Sequence, residues 1–501
     1  MTAVPPALIA AGEWALVAIV LAGAVPEVAG AWQFVLAAGH RWRNHYAACR
    51  PAFPRTAVLI PAWNEGAVLA ASIDRLLAAE YPPDSLRVYV VDDASTDSTP
   101  AVVKAKEAQY PGRVVHLRRD RGGQGKAHTL NHGLAVILGD DWMEALLITD
   151  ADVIFEPATL RTMTRHLADP AVGAVTSYIK EGSRPGNYLT RFIGYEYVTA
   201  QAAARRGQNV IGALACLAGG AQLHSRANLL ALGGRVDTTS LAEDTFTTFE
   251  TQLRGRRVVF EPHATCWAEE PESVAALWKQ RLRWARGNVQ VTIRYRRLWF
   301  RQPWPRPGRV HHLGGLTFGM LWFCLLLQPV FMITSSAALL TLYFAGSPSA
   351  WPAFRVLWVT NAVTYLFITG FALLIDTQTA RRTWRQAVMF PGLVNLAIIV
   401  ESCFPRAARA AAAALPVSGG HTSAITVFSY GWLAGSLVVG YLVKVIEPRR
   451  GGRLVSLLLL YLAGYGSLLC ACTFASYVKE LRRADMSWDK TEKTGKVTLP
   501  R

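Results

Sequence analysis

Three acid-bearing segments each follow a short apolar run. Trp63-Asn64-Glu65 follows the run at 56–62, Asp92-Asp93-Ala94-Ser95 follows 86–91, and Asp150-Ala151-Asp152 follows 145–149. In an open α/β sheet the ligand binds beyond the carboxyl ends of the strands, so acids placed there are candidates for one common site. Any single cluster could instead cap a helix; three together make that reading the weaker one. Asp150 and Asp152 stand two apart where an extended run ends, a spacing that lets both carboxylates point to the same side. Paired hard oxygens with no neighbouring His or Cys suit Mg²⁺ or Mn²⁺. A diphosphate is the natural further ligand of such an ion.

Two other stretches carry reactive types. Gly122-Gly-Gln-Gly-Lys-Ala-His128 has the glycines of a phosphate loop, but it lacks a glycine at Asp120 and a Ser or Thr after Lys126, so it is not a Walker A motif. It remains a glycine turn able to carry Lys126 toward phosphate. Glu243-Asp244 offers a general base held near an acceptor, although the pair could equally cap the helix containing Phe246 and Phe249. Further on, Gln280, Arg283, Trp284 and Gly287 share one helical face. A guanidinium grips phosphate with paired hydrogen bonds, and an indole is a flat platform for a sugar ring. The competing reading is a basic amphipathic helix on a membrane surface, continued by Arg294, Arg296, Arg297 and Arg301.

These residues need a scaffold, and the pattern supplies one. Thr56–Ala62, Leu86–Val91, Val114–Leu117 and Ala145–Thr149 read as buried strands, separated by helical spacing at Leu69, Ile73, Leu76 and Leu77 and by a helix start at Asp97-Ser98-Thr99-Pro100. Strand–helix alternation predicts a doubly wound parallel sheet. Around it the composition changes. The chain has 501 residues, 51% hydrophobic and only 17% charged, with net charge +17. Soluble domains average roughly 25% charged residues, which excludes a wholly soluble enzyme; disorder is excluded by the apolar content. The positive charge would suit nucleic acid, but the apolar excess favours basic loops beside a bilayer, and no nucleic-acid partner is expected. The seven cysteines form no C-x-x-C pair, so neither a zinc site nor a disulfide framework is expected.

The apolar stretch from Ala7 to Gly39 is too long and wrongly flanked for a cleaved signal peptide. His40, Arg41 and Arg43 follow it and put the next segment in the cytoplasm. Apolar runs return at 318–343, 356–376, 387–403, 425–446 and 453–478, most near the 20 or so residues a spanning helix needs. The 387–403 run is short and contains Pro391, as a re-entrant or shallow span would. One N-terminal and five C-terminal spans would leave the tail outside, against the positive charge of Lys479, Arg482 and Arg483. The expected division is an N-terminal membrane segment at 1–45, a catalytic domain at 46–270, interfacial helices at 271–316, membrane helices at 317–480 and a polar tail at 481–501.

The order Asp92-Asp93, Asp150-x-Asp152, Glu243-Asp244, Gln280-x-x-Arg283-Trp284 resembles the processive family-2 glycosyltransferases, which include the cellulose, chitin, hyaluronan and poly-N-acetylglucosamine synthases. The resemblance covers roughly 55–300, and the segment from Glu261 to Gly287 is most similar to the bacterial poly-N-acetylglucosamine synthases. It implies an α/β GT-A catalytic domain joined to an all-α transmembrane domain, in the bacterial plasma membrane with the catalytic domain facing the cytoplasm. It also implies a UDP-sugar donor, a growing polysaccharide acceptor, contact with the lipid bilayer, room for accessory export proteins, and Mg²⁺ or Mn²⁺. By the same resemblance Asp92 and Asp93 recognise the nucleotide, Asp150 and Asp152 hold metal and diphosphate, Asp244 is the catalytic base, and Gln280, Arg283 and Trp284 hold the donor diphosphate and the acceptor end. Glu65 and Lys126 join the donor-binding candidates. Ala94-Ser95 and Leu217-Ala-Gly-Gly220 depart from common family patterns and leave the sugar open between GlcNAc and glucose. The expected function is an inverting polymerase that makes and exports a β-linked polysaccharide. A non-processive enzyme making a lipid-linked or short glycan is the rival within the same chemistry; a nucleotide-sensing transporter or receptor is the rival from another class, and it leaves Asp150, Asp152 and Asp244 without a task.

Overall fold

The computed structural model describes residues 5–42, 45–301, 312–413, 422–486 and 493–497. Part of the expected 271–316 segment and part of the 481–501 tail lie outside the described residues. The chain divides into two compact units. One comprises 33–319 together with 484–501; the other comprises 1–32 and 320–483.

The first unit is built on an eight-stranded sheet: β1 (Thr56–Ala62), β2 (Leu86–Asp92), β3 (Val114–Arg118), β4 (Ala145–Ile148), β5 (Ile154–Phe155), β6 (Val172–Glu181), β7 (Gln222–Ser225) and β8 (Arg257–Ala268). The spatial order is β3-β2-β1-β4-β7-β6-β8-β5. The strands expected from sequence are β1 to β4, and they pair in parallel. Their near-continuous apolar runs are what a sheet covered on both faces requires. Leu130, Leu134 and Ile137 of the helix Lys126–Leu138 pack against Leu59, Val91, Leu146 and Ile148 in one buried cluster, which fixes the helix, and with it Lys126, against the strands.

The fully parallel sheet expected from sequence stops at β4. β7 pairs antiparallel with both β4 and β6, while β8 returns parallel to β6. β7 enters from the loop at 212–221 instead of from a helix laid along the sheet, so no crossover imposes parallel direction on it. That loop contains Gly219 and Gly220, and it delivers them beside the ends of β4.

The second unit is helical. Among the described residues, three helices have the length and apolar composition to cross a membrane: one beginning at Ala7, Ala350–Ile375 and Ser423–Ile446. Three further pairs pass the same test jointly but bend by 68°, 69° and 97°, namely Leu316–Leu326 with Gln328–Phe344, Thr377–Met389 with Leu393–Cys403, and Gly452–Ala463 with Tyr465–Leu481. The expected apolar runs match these elements. Val20, Leu339, Phe354, Trp358, Tyr430 and Trp432 share its buried core.

Candidate active site

The β1–β2 register sets Ala62 opposite Asp92, so the first two acidic loops start side by side. Asn64 and Ala94 both adopt left-handed backbone, φ 54° and 55°. Asn64 answers the cost by bonding its neighbour loop: its Oδ1 accepts from Thr96 N at 2.8 Å, and its own N donates to Ser95 Oγ at 2.9 Å. Glu65 is half-buried, with its backbone N donating to Thr99 Oγ1 at 2.8 Å. Asp92 is wholly buried and braces the turn, accepting from Ser95 N at 2.8 Å and Arg118 Nη1 at 2.7 Å. Asp93 reaches the glycine turn instead, accepting from Gly123 N at 3.0 Å and pairing with Arg119. A Cβ on Gly122 would lie 2.1 Å from Asp93 O, so only glycine lets the two loops meet this closely.

The second cluster forms where β4 ends. Lys126 pairs with Asp150, donates to Gly219 O at 3.2 Å and sits 3.7 Å from Glu243 Oε1. Burial alone would lower the Lys126 pKa, but Asp150 and Glu243 outweigh it and raise the value, keeping the ammonium charged. Burial opposes ionisation of Asp150 as well; Lys126, Lys493 and Arg283 prevail and hold its carboxyl below the ordinary carboxylate range. Glu243, only 5% exposed, is driven upward by burial and by Asp244 against the pull of Lys126 and Arg283. Asp244 is the more open of the two acids, and its Oδ1 accepts from Thr245 N at 2.7 Å. A Cβ on Gly219 would lie 3.2 Å from Asp244 Oδ2 and 3.4 Å from Lys126 Nζ, so the glycine loop forms one wall beside these groups.

Asp152 has a partner that sequence reasoning missed. Lys493 Nζ lies 2.7 Å from its Oδ2 and also donates to Glu269 O at 2.5 Å, while Thr494 N and Gly495 N donate to the Glu269 carboxylate at 2.8 and 2.9 Å. Burial pulls the Lys493 pKa down, yet Asp152 and Glu270 raise it on balance. The only trace in the sequence is a basic run, Lys490 to Lys496, too generic to assign.

The helix Val274–Arg294, capped by Ser273 Oγ accepting from Ala276 N, carries the remaining candidates. It is packed into the catalytic unit. Trp278, Arg281, Ala285, Arg286 and Gly287 are buried, and a Cβ on Gly287 would lie 2.5 Å from Ala242 Cβ. That close approach sets the face with Arg283 and Trp284 against the segment leading into Glu243-Asp244. Arg281, absent from the sequence-based candidates, makes a bidentate pair with Glu196 at 3.0 and 2.9 Å, and its guanidinium stacks 4.2 Å above the Trp284 ring. Gln280 Nε2 lies 3.4 Å from Glu270 Oε2, and Tyr197 OH donates to Glu270 Oε1 at 2.6 Å. Glu196, Tyr197 and Glu270 thus hold the helix from below.

Asp150 and Asp152 each bind an ammonium group through carboxylate oxygen, and Lys493 acts on both. An all-oxygen donor pair already attracting cations fits Mg²⁺ or Mn²⁺. Around the end of β4 the structure thus gathers the carboxylates of Asp150, Asp152, Glu243 and Asp244 with the ammonium groups of Lys126 and Lys493.

Residues 54–287 match the family described as "Glycosyltransferase like family 2". A probable glycosyltransferase of Bacillus subtilis, YdaM, is 32% identical over 257 residues, 51% of this chain and 59% of that protein. The poly-beta-1,6-N-acetyl-D-glucosamine synthase of Staphylococcus aureus is 28% identical over 237 residues, 47% of this chain and 55% of that protein. The chain thus spans somewhat more than half the length of these curated relatives. Among solved structures, a mannosyltransferase from Pyrobaculum calidifontis in complex with GDP-Man and Mn²⁺ aligns with TM-score 0.48 and 25% identity over 77% of this chain and 99% of that one.

Proposed function

Because residues 54–287 belong to the family-2-like glycosyltransferases and fold as a GT-A-like domain, we propose that this chain is a membrane-embedded inverting transferase. It polymerises a UDP-sugar, GlcNAc or glucose, into a β-linked polysaccharide and exports it. The observation that carries the reading is the seating of the Gln280–Trp284 helix, through Gly287, against the segment that presents Asp244. Arg283 of the same helix acts on both Glu243 and Asp150, which supports a role for this helix at the proposed site.

In this reading Asp93 and the glycine turn bind the nucleoside side of the donor. Lys126, Lys493 and Arg283 neutralise the diphosphate. Asp150 and Asp152 would hold Mg²⁺ or Mn²⁺, which when bound stabilises the departing UDP. Trp284 supports the acceptor sugar, and Asp244 removes the proton from its attacking hydroxyl. Single displacement at the anomeric carbon inverts its configuration, so an α-configured donor gives a β linkage. Glu243 is the poorer base, because it is buried against Lys126.

The chain sits in the bacterial plasma membrane with its catalytic unit in the cytoplasm, as the positive-inside bias argues. Lys493 beside Asp152 argues that the tail returns to the catalytic side. An even number of crossings between 320 and 483 then replaces the five expected. The pair Thr377–Met389 with Leu393–Cys403, bent by 69° and carrying Arg381, Arg382 and Arg385, is the segment we assign as not crossing. Purified full-length protein given labelled UDP-GlcNAc and UDP-glucose with Mg²⁺ or Mn²⁺ tests the proposal. High-molecular-weight product that disappears in excess EDTA is expected; single transfer supports the non-processive alternative, and binding without turnover overturns both.

A further inference from the structure

A second constellation lies at the opposite end of the strands from the acidic loops. His45 and Cys49 sit in the segment leading into β1, and His166 lies in the turn of helix just before β6. Both strands begin here, whereas Asp93, Asp150 and Asp152 follow the carboxyl ends of β2 and β4. One ligand atom from each of His45, Cys49 and His166 falls within 4.8 Å of the others. Cys49 Sγ is 3.7 Å from both ring nitrogens of His45, and the two Nδ1 atoms are 2.8 Å apart.

The hydrogen bonds around the rings make this arrangement chemically pointed. His45 Nε2 lies 3.0 Å from Asp169 Oδ2, and His166 Nε2 lies 2.8 Å from Glu261 Oε2. A carboxylate only accepts, so each Nε2 must carry the hydrogen and donate it. Both Nδ1 atoms are then bare lone pairs, and they face each other at contact distance with a thiol alongside. Lone pairs in that position repel unless a positive species lies between them. Carboxylate-backed imidazoles are also the usual outer support of a metal-bound histidine, fixing the tautomer and strengthening the ligand.

We propose that His45, Cys49 and His166 form a site for one divalent ion of the Zn²⁺ type, bound through the two Nδ1 atoms and the Cys49 thiolate, with Asp169 and Glu261 orienting the rings. Nitrogen and sulfur donors select this class and not the Mg²⁺ or Mn²⁺ suited to Asp150 and Asp152. Tetrahedral Zn–N bonds of about 2.0–2.1 Å set the nitrogens about 3.3 Å apart. The rings therefore need to part by about half an ångström and to tilt so that both lone pairs converge on the ion. The thiol proton leaves to solvent on binding, and a water completes the fourth position. The ion ties the segment entering the domain to the base of the sheet: Arg165 Nε already donates to Cys49 O at 2.8 Å, and Thr164 Oγ1 to Ala52 O at 2.9 Å. The role is structural, and the inference stands independently of the proposed transferase chemistry.

The test uses Co²⁺ as a spectroscopic probe on the full-length protein, stripped with EDTA, desalted, and held in excess Mg²⁺ to keep the carboxylate site filled. One equivalent of Co²⁺ is expected to give the strong visible bands of four-coordinate cobalt and a near-ultraviolet thiolate charge-transfer band, both removed by Zn²⁺. Cys49→Ser should lose the charge-transfer band, while Cys216→Ser keeps it. His166→Gln should weaken Co²⁺ binding by at least tenfold. Wild-type protein showing no such cobalt spectrum overturns the proposal however the variants fold. A band that survives in Cys49→Ser overturns it as well, and leaves a proton shared between the two imidazoles as the explanation of their contact.

Discussion

Removing the charge of Glu196 is expected to loosen the Gln280–Trp284 helix more than any exposed substitution could. Glu196 and Arg281 are both buried, joined by two hydrogen bonds of 3.0 and 2.9 Å. Glu196→Gln preserves shape but removes the carboxylate that accepts both hydrogen bonds from the buried Arg281 guanidinium. Breaking one partner of such a pair costs about 3 kcal/mol at the lower end of the known range. For a unit of this size about 1 kcal/mol corresponds to roughly 2–4 °C, so the midpoint should fall by about 6–12 °C. The double variant Glu196→Leu/Arg281→Met should recover most of that, because replacing a whole buried pair by apolar groups is close to neutral. Elongation should fall in both, since Arg281 also stacks on Trp284 at 4.2 Å. The assay is thermal unfolding in detergent at a fixed scan rate, paired with polymer yield. A Glu196→Gln protein that melts with the parent, or a double variant no better than the single, refutes this account of how the helix is held.

Asp152→Asn removes one of two anionic metal ligands and should cut turnover by orders of magnitude in a protein that still folds; undiminished wild-type activity in excess EDTA would remove the metal from the scheme. Trp284→Ala should abolish elongation while leaving UDP affinity nearly unchanged, measured with the thermal midpoint on one preparation; an active, stable variant would deny the indole any role. Lys493→Gln, which removes a charge placed 2.7 Å from Asp152, should raise the donor KM about tenfold, equivalent to about 1.4 kcal/mol, and unchanged donor kinetics would make the tail contact incidental.

The parallel half of the sheet and the acids at its edge were legible because each rests on local pattern. A buried parallel strand is an unbroken apolar run, and the acids follow immediately in the chain. The antiparallel β7 was not legible: four residues, Gln222 to Ser225, three of them polar, make no period, and its direction is decided by the loop that delivers it. Pairings across long separations were equally silent. Nothing in the sequence near Asp152 points to Lys493, and nothing near Arg281 points to Glu196. The cysteine spacing gave no sign of the grouping of His45, Cys49 and His166, because Cys49 meets the His166 imidazole only by folding, from more than a hundred residues away. Only the structure separates the surroundings of these acids: Asp92 is buried and accepts from Ser95 and Arg118, Glu243 lies beside Lys126, and Asp244 is the more open, beside the glycine wall.

The central claim is that Asp244 takes the acceptor proton in an inverting transfer, and Asp244→Asn measures it most directly. The variant keeps the Thr245 contact, the lysine pairs and the metal ligands. UDP-sugar affinity should therefore stay within a few fold of the parent, while transfer drops by the 10²–10⁴-fold that general-base catalysis supplies, about 3–5 kcal/mol of barrier. Glu243→Gln should be milder, and the wild-type product should be β-linked. Substantial transfer by Asp244→Asn, or an α linkage in the polymer, would contradict the account.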